Sequence, residues 1–134
     1  MGRYQGAQRK GGTGMKQTLK VNNMPPSLTK YRNMHYQVIN NQKQEWESII
    51  GWLVKEQKIQ PMQQIKMTYE FYFRNRTEHD PDNYACCAKF INDGLVKAVV
   101  LPRDNFVHIK EFTVKQGGVC KQPYILIHME EVSA

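Results

Sequence analysis

A chain of 134 residues, 23% charged and 40% hydrophobic, suits one globular domain with a single core and leaves no room for a second. No apolar run approaches the ~20 residues that a membrane span requires, and the basic N-terminus lacks the apolar stretch of a signal peptide, so a cytoplasmic protein with no membrane partner is the expectation. The net charge is +7: three of the 19 bases (Arg3, Arg9 and Lys10) stand in an acid-free first fourteen residues, and the remainder carries 16 bases against 12 acids, a mild bias compatible with a polyanion partner.

Residues 1–16 read as a flexible, basic, glycine-rich tail, because "MGRYQGAQRKGGTG" holds five of the nine glycines and too little apolar surface to offset its ordering entropy. Met15 is a candidate natural start; the functional alternative for the tail is a basic arm laid on a nucleic acid. Residues 17–134 form the domain. "QTLKVNNMPPS" reads as a short strand stopped by Asn-Asn and Pro-Pro. In the polar stretch from Asn33 to Lys58, the recurrence of Ile39, Trp46, Ile49, Ile50, Leu53 and Val54 predicts an amphipathic helix over its second half, ended by Pro61.

"IKMTYEFYF" alternates cleanly, with Ile65, Met67, Tyr69, Phe71 and Phe73 on one face of a strand and Lys66, Thr68 and Glu70 on the other. From Pro81 to Val99 the period becomes helical, and Tyr84, Ala88, Ile91, Leu95 and Val99 make the expected buried stripe. A strand from Phe106 to Lys115, a hairpin loop "QGGVCKQ" and a last strand "YILIHMEEV" complete the chain. The order β-α-β-α-β-β predicts an α+β domain, with helices packed on a small mixed or mostly antiparallel sheet.

Three cysteines in no regular spacing, Cys86, Cys87 and Cys120, make no disulfide framework. Adjacent residues on a helix point about 100° apart, so Cys86 and Cys87 cannot jointly grip a zinc as C-x-x-C does; they read as small buried residues.

The chemistry concentrates in "HDPDNYACCAK". Asp80, Pro81 and Asp82 carry helix-start signals: an N-cap, a proline at the first position and an acid in the first turn. Asp82, Lys89 and Asp93 are spaced seven and four apart, which puts them near one line along a helix, away from the core stripe. Such a row is either a solvated face or the wall of a groove. Asp104 follows Leu101-Pro102 where a loop becomes a strand. If the helix and that strand pack together, Asp80, Asp82 and Asp104 converge, and a cluster of that kind repels itself unless a cation sits within it. Carboxylates completed by water and substrate phosphate suit Mg²⁺, with Mn²⁺ as a substitute, and no soft ligand is placed to favour zinc.

The stretch "DPDNYACCAKFINDGLVKAVVLPRDNFVHI" resembles the core of RusA-type endodeoxyribonucleases, the Holliday-junction resolvases of bacteria and their prophages. A basic strand runs into an Asp-x-Asp-Asn helix start, a lysine follows in the helix, then Asp-Gly-Leu, then the acidic position before the next strand. The likeness is closest to the longer-helix phage type and spans about Arg74 to His108, with a weaker likeness back to about residue 18. It implies Mg²⁺-dependent hydrolysis of DNA phosphodiesters at four-way junctions, in recombination or repair, by a homodimer in the bacterial cytoplasm. It implies Asp80, Asp82 and Asp104 as metal ligands and Lys89 as the group that stabilises phosphate charge or orients the attacking water. Arg74 and Arg76 stand where a DNA backbone would pass; His79 is expected to be a loop histidine, not a base.

One position departs from the pattern. The first residue of the family's acidic pair is Arg103, which replaces a carboxylate beside the site by a guanidinium able to hold a phosphate oxygen. Two other functions therefore stand beside the nuclease: a non-catalytic binder of branched DNA, and a small α+β interaction domain whose Asp80 is only a cap.

Overall fold

The strand read most directly from alternation, β2 (Ile65–Phe73), is the centre of the fold. A computed structural model describes residues 15–76 and 78–132. The expected tail lies outside these residues apart from its last two, and Lys16 already begins β1 (Lys16–Val21). The order continues with α1 (Leu28–Arg32), α2 (Tyr36–Glu56), β2, α3 (Pro81–Ala85), α4 (Cys87–Lys97), β3 (Ile109–Val119) and β4 (Tyr124–Glu131). The sheet runs β1-β4-β2-β3, with β4 antiparallel to both β1 and β2, and β3 parallel to β2. The domain is thus α+β with a mixed sheet, as expected.

Alternation decides the layering. Leu19 and Val21, the five apolar residues of β2, and Ile125, Ile127 and Met129 all point to one face and are buried there under the helices. Trp46, Ile50, Leu53 and Val54 of α2 meet Ala88, Ile91 and Leu95 of α4 in that core. The two helices approach closely at Gly94, where a Cβ would lie 2.8 Å from the Cβ of Ile50. The opposite sheet face is polar. There Thr18 and Glu70 bracket His128, at 2.9 Å from Nδ1 and 2.8 Å from Nε2, and Tyr72 donates to Glu70 at 3.1 Å. The His128 hydrogen bond holds the Glu70 carboxyl below its ordinary value. No helix among the described residues is long and apolar enough to cross a membrane.

α2 fills Tyr36–Glu56 rather than only the second half of its stretch, and β3 begins at Ile109 rather than Phe106, since residues 106–108 form a turn; beyond these shifted bounds, three local expectations need correction. "QGGVCKQ" is not a hairpin loop: β3 continues to Val119, and β4 is separated from it by β2, so the segment carries the chain across the sheet. The helix expected from Pro81 to Val99 is two helices. The Lys89 amide donates to the Cys86 carbonyl at 3.1 Å, an i→i+3 bond that tightens the turn and separates α3 from α4.

The third correction is Val99, expected in the buried stripe but 70% exposed with φ at 66°. It occupies the left-handed position of a Schellman motif: the Val100 amide donates to the Leu95 carbonyl and the Val99 amide to the Val96 carbonyl. Lys58 closes α2 the same way, with φ at 58° and the Ile59 amide on the Val54 carbonyl. Glycine is the usual residue at such positions, so neither Val99 nor Lys58 signals a helix end, and Pro61 lies beyond the true end of α2 at Glu56.

A β-branched residue in the left-handed region costs about 1–2 kcal/mol. Part of that returns as unfolded-chain entropy when glycine replaces it. Val99→Gly is expected to raise unfolding free energy by about 0.5–1 kcal/mol, checked by urea denaturation with an unchanged m-value.

Candidate functional site

The helices that cross from β2 to β3 leave part of β3 uncovered. Met67 and Tyr69 are fully buried on β2, while their partners on β3, Phe112 and Val114, are 40% exposed and half-buried. The uncovered strip is the floor of a groove whose wall is α3 and α4. One cavity, of about 340 Å³, is lined by Ala88, Lys89, Asn92, Asp104, Asn105, Phe106, Ile109 and Phe112. A smaller one, of about 70 Å³, lies by the next same-face residues of β3, Val114 and Gln116, and includes Phe73, His79, Asp80 and Tyr84.

At the larger cavity, a core contact fixes a surface carboxylate. The Tyr69 hydroxyl donates to Asn92 Oδ1 at 2.6 Å, which leaves the amide nitrogen to donate to Asp104 Oδ1 at 3.3 Å. Asn92 is only 4% exposed. Desolvation pushes the Asp104 carboxyl above its ordinary value; the Asn92 hydrogen bond opposes this, Asp93 adds to it and Lys89 opposes it. Burial raises the Tyr69 phenol well above its own, with Asp104 adding to the effect, so its hydroxyl stays a donor.

The loop carrying Asp104 is built on Asn105. Its side-chain oxygen accepts from the Val107 amide at 3.0 Å, and its carbonyl accepts from His108 and Ile109. Val100 and Leu101 bury the loop's near end, and the Val100 carbonyl accepts from Met62.

Asp80 stands at the N-cap of α3, but its side chain makes no cap hydrogen bond, contrary to the simple capping reading. Asp82 is exposed in the first turn and lines neither cavity. Its neighbour Asn83 instead ties α3 to α1, accepting from the Thr29 amide and hydroxyl at 3.1 and 3.2 Å. Lys89 is exposed on α4, across the tightened turn at Cys86 from Asp82, so the row with Asp82 is not carried by one continuous helix. Arg74, Arg76 and Arg103 are all exposed.

His79 lies in the loop before α3, and its buried Nε2 has no hydrogen-bond partner among the described residues. Its ring stacks on Phe73 at 3.8 Å and its Nδ1 meets the Tyr84 hydroxyl at 3.1 Å. Cys87 is buried against the Pro25 carbonyl, and burial pushes its thiol up to about 12, far from a reactive thiolate.

The expected convergence of three carboxylates is not preassembled. Among the described residues no three His, Cys, Asp or Glu stand together in a group that could hold a metal ion. The physical reason is the parallel pairing of β2 and β3. Asp80 follows the end of β2 and Asp104 precedes the start of β3, and in a parallel pair those points lie toward opposite ends. Asp80 accordingly accompanies Val114–Gln116, and Asp104 accompanies Ile109 and Phe112. The donors have the right chemistry for a hard cation, all carboxylate oxygen, but not a closed arrangement.

Sequence reading missed Asn92, Asn105, Phe106 and Phe112. Only Asn92 left a trace: it sits four residues after Ala88, next to Ile91, inside the apolar stripe.

Tyr69→Phe leaves the Asn92 oxygen buried without a donor and is expected to cost about 1–3 kcal/mol in unfolding free energy. Asp104 supplies a pH test. A carboxyl raised in the folded state binds protons that the unfolded chain has released, so its ionisation destabilises the fold as pH rises from the ordinary value through the raised one. In EDTA, Asp104→Asn is therefore expected to raise the melting temperature at neutral pH, with the gain vanishing below the ordinary carboxylate value. Thermal melts across the acid range check this.

No protein-family model matches this chain, and no curated protein matches it.

Proposed function

We propose that the chain is a metal-dependent endodeoxyribonuclease that binds four-way DNA junctions as a homodimer and cuts them. This is the reading its resemblance to RusA-type resolvases implies. The observation that supports it is the groove beside β3, which sets Lys89 and Asp104 in one cavity and Asp80 in the next. The resemblance gives Asp80, Asp82 and Asp104 to Mg²⁺; with Asp80 and Asp104 in separate cavities and Asp82 in neither, the three do not meet at one ion here, and Asp104 beside Lys89 is the carboxylate through which a hard cation would be held at the larger cavity. When bound, the ion would supply a water of lowered pKa and neutralise phosphate charge.

The chain's own residues do the rest. Lys89 offsets charge developing on the phosphate. Arg74, Arg76 and Arg103 hold the backbone, Arg103 through two parallel guanidinium hydrogen bonds. A two-fold dimer matches the symmetry of a junction and supplies one site per strand to be cut.

The second reading, a binder of branched DNA that does not cut, is favoured by the open arrangement of the carboxylates and by Arg103 beside Asp104. One set of assays separates them. The nuclease reading expects paired cleavage of a synthetic junction with Mg²⁺ or Mn²⁺, none with EDTA, and binding that weakens steeply with salt. It expects Asp104→Asn to bind and not cut, and Arg103→Ala to lose about 1–2 kcal/mol of binding while retaining turnover at saturating enzyme. Light scattering is expected to give a dimer. Binding without cutting under every metal condition, with cutting gained in Arg103→Asp, would replace the nuclease by the binder.

A further inference from the structure

The larger cavity is more aromatic than a phosphate site needs to be. Phe106 is 86% exposed, and with Phe112, Ile109 and Ala88 it gives this surface an apolar lining beside Lys89 and Asp104. Phe106 is not on a loose tip. The hydrogen bonds accepted by Asn105 hold the next three residues in a turn, so the ring is presented to solvent by an ordered loop. Phe112 is flanked by Tyr69 of the neighbouring strand, edge to face at 5.4 Å. A phosphate would use Lys89 and gain nothing from either ring.

We propose that this cavity receives an unpaired nucleobase. The base stacks on Phe106 over the apolar wall of Ile109 and Phe112, and its phosphate lies toward the Lys89 ammonium, the charge complement of a polyanion. Stacking tolerates any base, because every base has a π-face. A fully paired duplex cannot offer one without unstacking it, at a cost of a few kcal/mol. The pocket therefore selects DNA that already exposes a base, as bulges and gaps do; a four-way junction, fully paired, offers one only where its stacking is broken at the crossover. This rests on the reading of the chain as a DNA-binding protein, not on cleavage.

The test uses the full chain in EDTA and fluorescence anisotropy with three labelled probes. One is a short duplex with a single bulged thymidine, one has an abasic residue at the bulge, and one is fully paired. The wild-type protein is expected to bind the bulged thymidine about tenfold more tightly than the abasic bulge, the scale of one base–aromatic stack. Phe106→Ala is expected to bind both bulges alike, and Phe106→Trp to keep the preference. Because Phe106 is so exposed, its removal leaves the core intact, which an unchanged melting temperature verifies.

If Phe106→Ala retains the wild-type preference, the pocket is not a base site, while the DNA-binding reading stands. If Phe106→Ala instead leaves DNA affinity alone and lowers the mass by light scattering, the aromatic patch is an interface between copies, and the inference fails. If the wild-type protein binds neither these probes nor a junction at low salt, both the inference and the reading beneath it fall.

Discussion

A 2.6 Å hydrogen bond between the Tyr69 hydroxyl and the Asn92 amide joins the centre of the sheet to the mouth of the groove. Neither group could be buried alone, because an unpartnered polar side chain in the core costs a few kcal/mol. Together they satisfy one another and leave one amide nitrogen pointed outward at Asp104. The orientation follows from chemistry: a phenol that donates to the amide oxygen places the amide donor on the other side. A carboxylate raised by desolvation is thereby held in place by an amide that is itself fixed from the core.

The groove exists because the helix layer is not centred on the sheet. α2 and α4 cover β2 and its β4 neighbour, where Tyr69, Phe71, Ile125 and Ile127 are fully or almost fully buried. β3, at the sheet edge, is left with Phe112 and Val114 only partly covered. An edge strand with an open inner face and a parallel neighbour makes a channel along the strand. The two ends of that channel receive the two loops that carry the acidic residues. The same parallel pairing that creates the channel holds Asp80 and Asp104 in separate cavities, so the acidic residues line its length where sequence alone predicts one point.

Electrostatics along the channel is mixed. Lys89 lies opposite Asp104, and three exposed arginines stand near the loops that enter and leave the helix pair. Under the proposed reading, a nucleic acid would anchor at the arginines and meet a carboxylate within, tolerable where a cation or a base occupies the intervening space.

What the sequence by itself determined is the part governed by local periodicity. The period-two run from Ile65 to Phe73 is a fully realised strand, because alternation on a half-buried sheet has one low-energy solution. The core-facing row Trp46, Ile50, Leu53 and Val54 is buried as read, and so are Ala88, Ile91 and Leu95. The α+β class follows from those segments.

Tertiary structure decided what depends on neighbours distant in the chain. Val99 and Lys58 end helices because hydrogen bonds and a buried C″ residue, Val100 for α4, outweigh a left-handed backbone that their side chains disfavour. β4 inserts between β1 and β2, so "QGGVCKQ" cannot be a hairpin, although its glycines suggest one; at Gly117 a Cβ would displace the end of the Tyr72 ring. The site residues were legible as types, acids and bases in a suggestive order. Their grouping was not, since whether Asp104 meets Asp80 or Asn92 depends on strand direction, and strand direction is set by which edges pair in the folded sheet rather than by any residue between them.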